Sequence, residues 1–253
     1  MQSVEKENTS TNISILKPRL QLVFFLIGLI GLVLVSFLIE LLTSIIARGV
    51  SPTDYDYEIF INSSLESMIV NGLAYLILGV VFIILIKNET NEIFKSFKNW
   101  KPYIAALVGF AAVILFNVVY SIFISAIGQS MGDNANESAL NSIVRDFPIA
   151  SLFIFGVVGP FCEELTYRVG LFSLSRRLNR VFAYIVTLII FTLIHFDFVS
   201  DNYINELLNI PAYAFGAFVL TFLYDKYGLA ASLSAHVTNN VFSVLMTIIT
   251  KIK

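Results

Sequence analysis

The chemistry in this chain is concentrated in three short stretches. Residues 160–170 read PFCEELTYRVG and carry adjacent carboxylates at Glu163 and Glu164 with a guanidinium at Arg168. In FTLIHFDF, Phe191 and His195 are four apart, and in SLSAHVTNN so are His236 and Asn240; the chain holds only these two histidines. Residues four apart share a helix face. A carboxylate and a neutral imidazole facing one water can share its proton and make it a nucleophile. A second imidazole with a carboxamide can donate hydrogen bonds to the oxyanion that forms when that water attacks an amide carbonyl. The inventory suits peptide-bond hydrolysis without a covalent intermediate. Glu163, His195 and His236 could alternatively bind zinc as a two-histidine, one-carboxylate set with an open position. The chain lacks the HExxH helix motif that would favour that version.

The elements that must position these residues are membrane spans. The 253 residues are 57% hydrophobic and 13% charged, with a mean hydropathy of +0.81, whereas soluble domains carry about 25% charged residues. Taking about 20 apolar residues per crossing, we read seven spans, with six to eight as the range: 20–46, 66–86, 103–127, 148–174, 181–199, 207–224 and 229–250. No period-two alternation runs through them, so the expected fold is an all-α polytopic helical bundle. A polar leader covers residues 1–18, a three-span region covers 19–147, and 148–250 holds the candidate chemistry. There is no internal repeat. Net charge is -2, which argues against a nucleic-acid partner. The single cysteine, Cys162, excludes an internal disulfide and a thiolate zinc cluster, and reads as a small buried apolar residue. Trp100, beside Lys98 and Lys101, reads as an interfacial anchor, and Asn71 and Asn117 as glue between helices.

Lys6, Lys17 and Arg19 precede the first span; Lys87, Lys95, Lys98 and Lys101 follow the second; Arg176, Arg177 and Arg180 follow the fourth. The alternate loops are acidic, so the amino terminus is expected in the cytoplasm, although seven spans then place Lys251 and Lys253 outside. Counted from the basic anchors, Glu163 lies 13 residues from Arg176, His195 lies 15 from Arg180, and His236 and Asn240 lie 10 and 14 from Lys226. At about 1.5 Å per residue, all sit roughly 15–23 Å along their helices. Each charge at the centre of an isolated membrane helix costs roughly 2.5–3.5 kcal/mol, so a shared polar pocket is the economical arrangement. In it the charges face one another and water, and Glu164 pairs with Arg168 one turn away. Only His195, two residues before Asp197, looks too close to the outer face unless its helix is short or tilted. Gly156, Gly159 and Gly170 recur on the Glu163 face, which would let a neighbouring helix approach closely.

EELTYR matches a Glu-Glu-x-x-x-Arg motif, FTLIH a Phe-x-x-x-His motif and HVTNN a His-x-x-x-Asn motif, in that order and each in a span. Over residues 148–245 the chain therefore resembles the CAAX protease and bacteriocin-processing family of intramembrane endopeptidases, which includes the type II CAAX prenyl endopeptidase. The resemblance implies that Glu163 and His195 activate the water, that His236 and Asn240 bind the oxyanion, and that Glu164 and Arg168 support the site. It implies no obligatory cofactor in the glutamate-protease version and zinc in the metalloprotease version; Asn240 suits an oxyanion donor better than a zinc ligand. The implied partners are the bilayer and a peptide or membrane-protein substrate. A chain rich in Ile, Asn and Lys looks prokaryotic, so the expected location is a prokaryotic plasma membrane. Exported peptides and bacteriocin leaders are then more natural targets than prenylated proteins, and bacteriocin self-immunity is a role linked to the family. Two rival readings are a proton-coupled transporter using Glu163 and His195 as a relay, and a non-catalytic membrane partner of another protein.

Overall fold

The computed structural model describes residues 16–251, and among them it contains helices and no strand. Residues 1–15 of the expected leader, with Lys6, and the terminal Lys253 lie outside the described residues. Leu16 is already buried, and the first helix begins at Pro18, where a proline without an N–H costs no intrahelical bond. We number the principal helices α1 (Pro18–Val50), α2 (Ser64–Ile86), α3 (Lys101–Ala126), α4 (Ala135–Asp146), α5 (Pro148–Ser175), α6 (Arg180–Leu193), α7 (Tyr203–Tyr227) and α8 (Leu229–Lys251). Six of these, all but α4 and α6, are long and apolar enough to cross a membrane.

Helix starts follow local chemistry. Ser63 caps α2 by accepting the Glu66 N–H at 3.2 Å, and Asn134 caps α4 by accepting the Glu137 N–H at 2.8 Å. The Asn179 side chain accepts the N–H groups of Val181 and Phe182 at the start of α6. Gly228, at φ 82°, is the single residue between α7 and α8; that left-handed conformation suits glycine and lets the two helices turn back on each other.

Two sequence expectations change. The fifth span, expected over 181–199, ends at Leu193 and has 14 residues, or about 21 Å against a hydrocarbon core of about 30 Å. His195 therefore follows a short helix, which removes the conflict between its depth and the nearby Asp197. The acidic stretch around Glu137, read as loop, forms the amphipathic helix α4, whose polar composition hid it from a search for apolar spans.

Helices α1 and α5 pack closest at their small residues. A Cβ on Gly28 would lie 1.8 Å from Thr166 Oγ1, and one on Gly170 would lie 2.8 Å from the Phe25 backbone nitrogen. Gly156 brings α5 against Val241 of α8, where a Cβ would meet Val241 Cγ2 at 3.1 Å. The core between α1, α2 and α5 is built on Phe24, Phe82, Cys162, Leu165 and Phe172, with the Phe24 and Phe82 rings 5.5 Å apart. At one end of the bundle Asp225 of α7, almost fully buried, pairs with Arg176 at 3.2 Å and Arg180 at 2.5 Å. That pairing ties the ends of α5, α6 and α7 together. Trp100 is largely exposed at the start of α3.

Candidate active site

In α5 the helix widens twice into π-helical geometry, at Ile154–Val158 and at Glu164–Phe172. Such widened turns recur at functional sites because they re-aim side chains and free carbonyls. In the first, the Gly159 N–H bonds the carbonyl of Ile154, and Pro160 has no N–H to offer Phe155. The Phe155 carbonyl accepts instead from Asn240 Nδ2 at 3.1 Å. A proline in α5 thus explains where the carboxamide of α8 is anchored, and one amide hydrogen of Asn240 remains for another acceptor.

The adjacent carboxylates Glu163 and Glu164 point to different sides. Glu163 lines a cavity of about 430 Å³, with its side chain 14% exposed, whereas Glu164 and Arg168 are both at 0% and do not line it. The expected ion pair is present, with Arg168 Nη1 2.9 Å from Glu164 Oε1. The guanidinium also lies over the Phe191 ring, 4.6 Å from its centroid. The expectation that all these charges face water is corrected here: only Glu163 lines the cavity, while Glu164 and Arg168 point to another side of the helix and are buried in the packing.

His236 stands between the two carboxylates. Its Nδ1 is 2.9 Å from Glu164 Oε1, and its Nε2 is 3.7 Å from Glu163 Oε2, wide for a direct hydrogen bond. The Tyr75 hydroxyl of α2 donates to Glu163 Oε1 at 3.1 Å. His195 Nδ1 lies 2.8 Å from the Phe191 carbonyl. A carbonyl can only accept, so Nδ1 carries the proton and Nε2 is free. The imidazole is stacked on Tyr213 with ring centroids 4.6 Å apart and lies 4.8 Å from the ring of Phe191 in the last turn of α6. Phe191 therefore touches Arg168 as well as His195, and its ring lies 6.2 Å from that of His236.

Glu163, His195, His236 and Asn240 all line the same cavity, although they come from α5, the turn after α6, and α8. Among the described residues no three His, Cys, Asp or Glu side chains converge as a metal-ligand set. The residues named for the zinc alternative do not fit it as placed. Cys162 is buried, with Sγ 3.7 Å from the Tyr75 carbonyl, away from the cavity. Asn117 also lines the cavity, so it is not only glue between helices. Tyr75 and Tyr213 escape a reading of the sequence, since an isolated tyrosine in an apolar span carries no spacing signal.

Residues 145–242 match the family model described as Rce1-like, type II CAAX prenyl endopeptidase Rce1-like. The chain belongs to the CAAX protease family. The matched segment contains all seven motif residues, Phe191 included. The membrane-embedded CAAX protease MroQ of Staphylococcus aureus is 32% identical over 176 residues, 65% of this chain and 66% of that protein. The UPF0177 protein YvdC of Lactococcus lactis is 30% identical over 156 residues, 60% of this chain and 57% of that one. An uncharacterized protein of Mycoplasma capricolum is 28% identical over 198 residues, 74% of this chain and 56% of that one. The chain thus spans a little over half the length of the latter two relatives. No solved structure matches it significantly.

Proposed function

We propose that the protein is an intramembrane endopeptidase that hydrolyses a peptide bond with a water activated by Glu163 and His195. The observation that carries the reading is the convergence of Glu163, His195, His236 and Asn240 on one cavity inside the helical bundle. Glu163 takes a proton from the water while His195 Nε2 orients it, and the water oxygen attacks the carbonyl carbon. The oxyanion accepts from the free amide hydrogen of Asn240 and from His236 Nε2–H. Donation from Nε2 requires the doubly protonated ring, because Nδ1–H is engaged by Glu164, which serves as its counter-ion. Glu163 then returns its proton to the leaving nitrogen, the C–N bond breaks, and a carboxylic acid and an amine leave. Glu164 and Arg168 act behind this set by holding His236 and Phe191.

Membership of the CAAX protease family supports a peptidase. The proposed substrate is a peptide or a membrane-protein segment, such as an exported peptide or bacteriocin leader, in a prokaryotic plasma membrane with the amino terminus cytoplasmic. The test is incubation of reconstituted protein with a mixture of apolar peptides in ¹⁸O-water, followed by mass spectrometry. New carboxyl termini carrying ¹⁸O, formed by wild type and lost in Glu163→Gln, are expected. Passage of peptide across sealed vesicles with no change of mass would replace the protease reading with the transporter.

A further inference from the structure

His195 is the one motif residue that its own helix does not hold. Helix α6 ends at Leu193, and residues 194–202 form turns and irregular backbone. Its ring still needs a fixed place, since a displacement of about 1 Å in a reacting group can cost about 10²-fold in rate. The Phe191 carbonyl and the Tyr213 ring orient the imidazole, but something must also hold the backbone that carries it.

Glu206 of α7 is buried, with 2% of its surface exposed, and does not line the cavity. Its two oxygens are both used, and both on backbone. Oε1 accepts the Ala135 N–H at 2.8 Å and Oε2 accepts the Asp197 N–H at 3.1 Å. Ala135 is the first residue of the 12-residue helix α4, where unpaired N–H groups and the helix dipole favour a carboxylate. The cap of that helix, Asn134, donates its amide to the His195 carbonyl at 3.1 Å. The segment before the cap is itself bound to α7, where Asn205 accepts the Gly132 N–H at 2.9 Å and Asn209 donates to the Gly132 carbonyl at 3.1 Å.

We propose that Glu206 is a positioning residue for His195: its buried carboxylate joins the start of α4 to the segment two residues beyond the histidine. Helix α4, α7 and the His195 turn then move as one unit. The kinetic part of this inference rests on the proposed protease activity; the structural part does not.

The chain has two histidines, so ¹³Cε1-histidine labelling gives two ring signals, assigned with His195→Gln. Glu206→Gln keeps the volume but sets an NH₂ against a backbone N–H. It is expected to shift or broaden the His195 signal and leave that of His236 in place. Turnover should fall about 10²-fold with KM unchanged. Asn134→Ser, which keeps a cap but loses the bond to the His195 carbonyl, should move the same signal, and so covers the case in which Glu206→Gln does not fold. The exposed Asp201→Asn on the same turn should move neither signal. Unchanged His195 signals in Glu206→Gln and Asn134→Ser, or equal movement of both histidines, would overturn the proposal. A wild type that cleaves no peptide would refute the protease reading alone, leaving the NMR comparison to decide whether Glu206 holds His195.

Discussion

Removal of Arg168 should expose how much the site depends on its fully buried ion pair. Arg168 and Glu164 are 2.9 Å apart with neither side chain exposed. Arg168→Met removes the cation and leaves the fully buried Glu164 carboxylate with His236 Nδ1, at 2.9 Å, as its remaining partner. Breaking a buried pair from one side costs about 3–5 kcal/mol, which is roughly 150- to 5,000-fold in the folding equilibrium. Glu164→Gln strands the guanidinium and should cost a similar amount. The double variant strands neither Glu164 nor Arg168, though His236 Nδ1 loses its carboxylate partner at 2.9 Å, and should recover part of the loss, giving a coupling of at least about 2 kcal/mol. Recovery stays incomplete because the double variant also loses the stacking of Arg168 on Phe191 at 4.6 Å, worth about 0.5–2 kcal/mol. The only cysteine, Cys162, is 1% exposed, so its reaction with a thiol reagent in mixed micelles of increasing denaturing detergent reports unfolding. A cost below about 1 kcal/mol for Arg168→Met, or a double variant as unstable as the sum of the singles, would refute this reasoning.

Gly170→Ala should destabilise the protein by about 1–3 kcal/mol, because the new methyl meets the backbone of Phe25 rather than a movable side chain, and the same thiol assay reads it. Gly49→Ala, with nothing within 4 Å, should be neutral or slightly stabilising. Tyr75→Phe removes the 3.1 Å bond to Glu163 at almost constant volume; turnover should fall about tenfold with KM unchanged in steady-state assays. Burial, then the nearby Asp133, push the Glu137 carboxyl above its ordinary value. A raised acid favours the fold while protonated, so its contribution is present below the unfolded-state value and is lost as pH rises through the folded one. Glu137→Gln should therefore flatten the loss of thermal stability between mildly acidic and neutral pH, and an identical pH dependence in both proteins would contradict that account.

Most of the spans and the seven motif positions are legible because each rests on local pattern. An apolar run announces a span, and four-residue spacing places Phe191 with His195 and His236 with Asn240. The widened turns of α5 were not legible, although Pro160, which has no N–H for Phe155, is visible in the sequence; its consequence depends on α8 bringing Asn240 within reach. The short fifth helix is hidden in the sequence, since Ile194 and Phe196 continue the apolar run after the helix has ended at Leu193. Tyr75, Tyr213 and Glu206 act through tertiary neighbours far away in the chain. No spacing within one element announces such partners.

In the proposed mechanism Glu163 is the base in the cavity. The most direct test is turnover of a quenched fluorescent peptide library by purified protein, wild type beside Glu163→Gln, each with and without a strong zinc chelator. With Glu163 in that role, wild type should cleave with the chelator present, and the variant should be slower by at least about 10²-fold, in line with the contribution of a positioned general base. Undiminished cleavage by Glu163→Gln would contradict it, as would activity abolished by the chelator and restored by zinc.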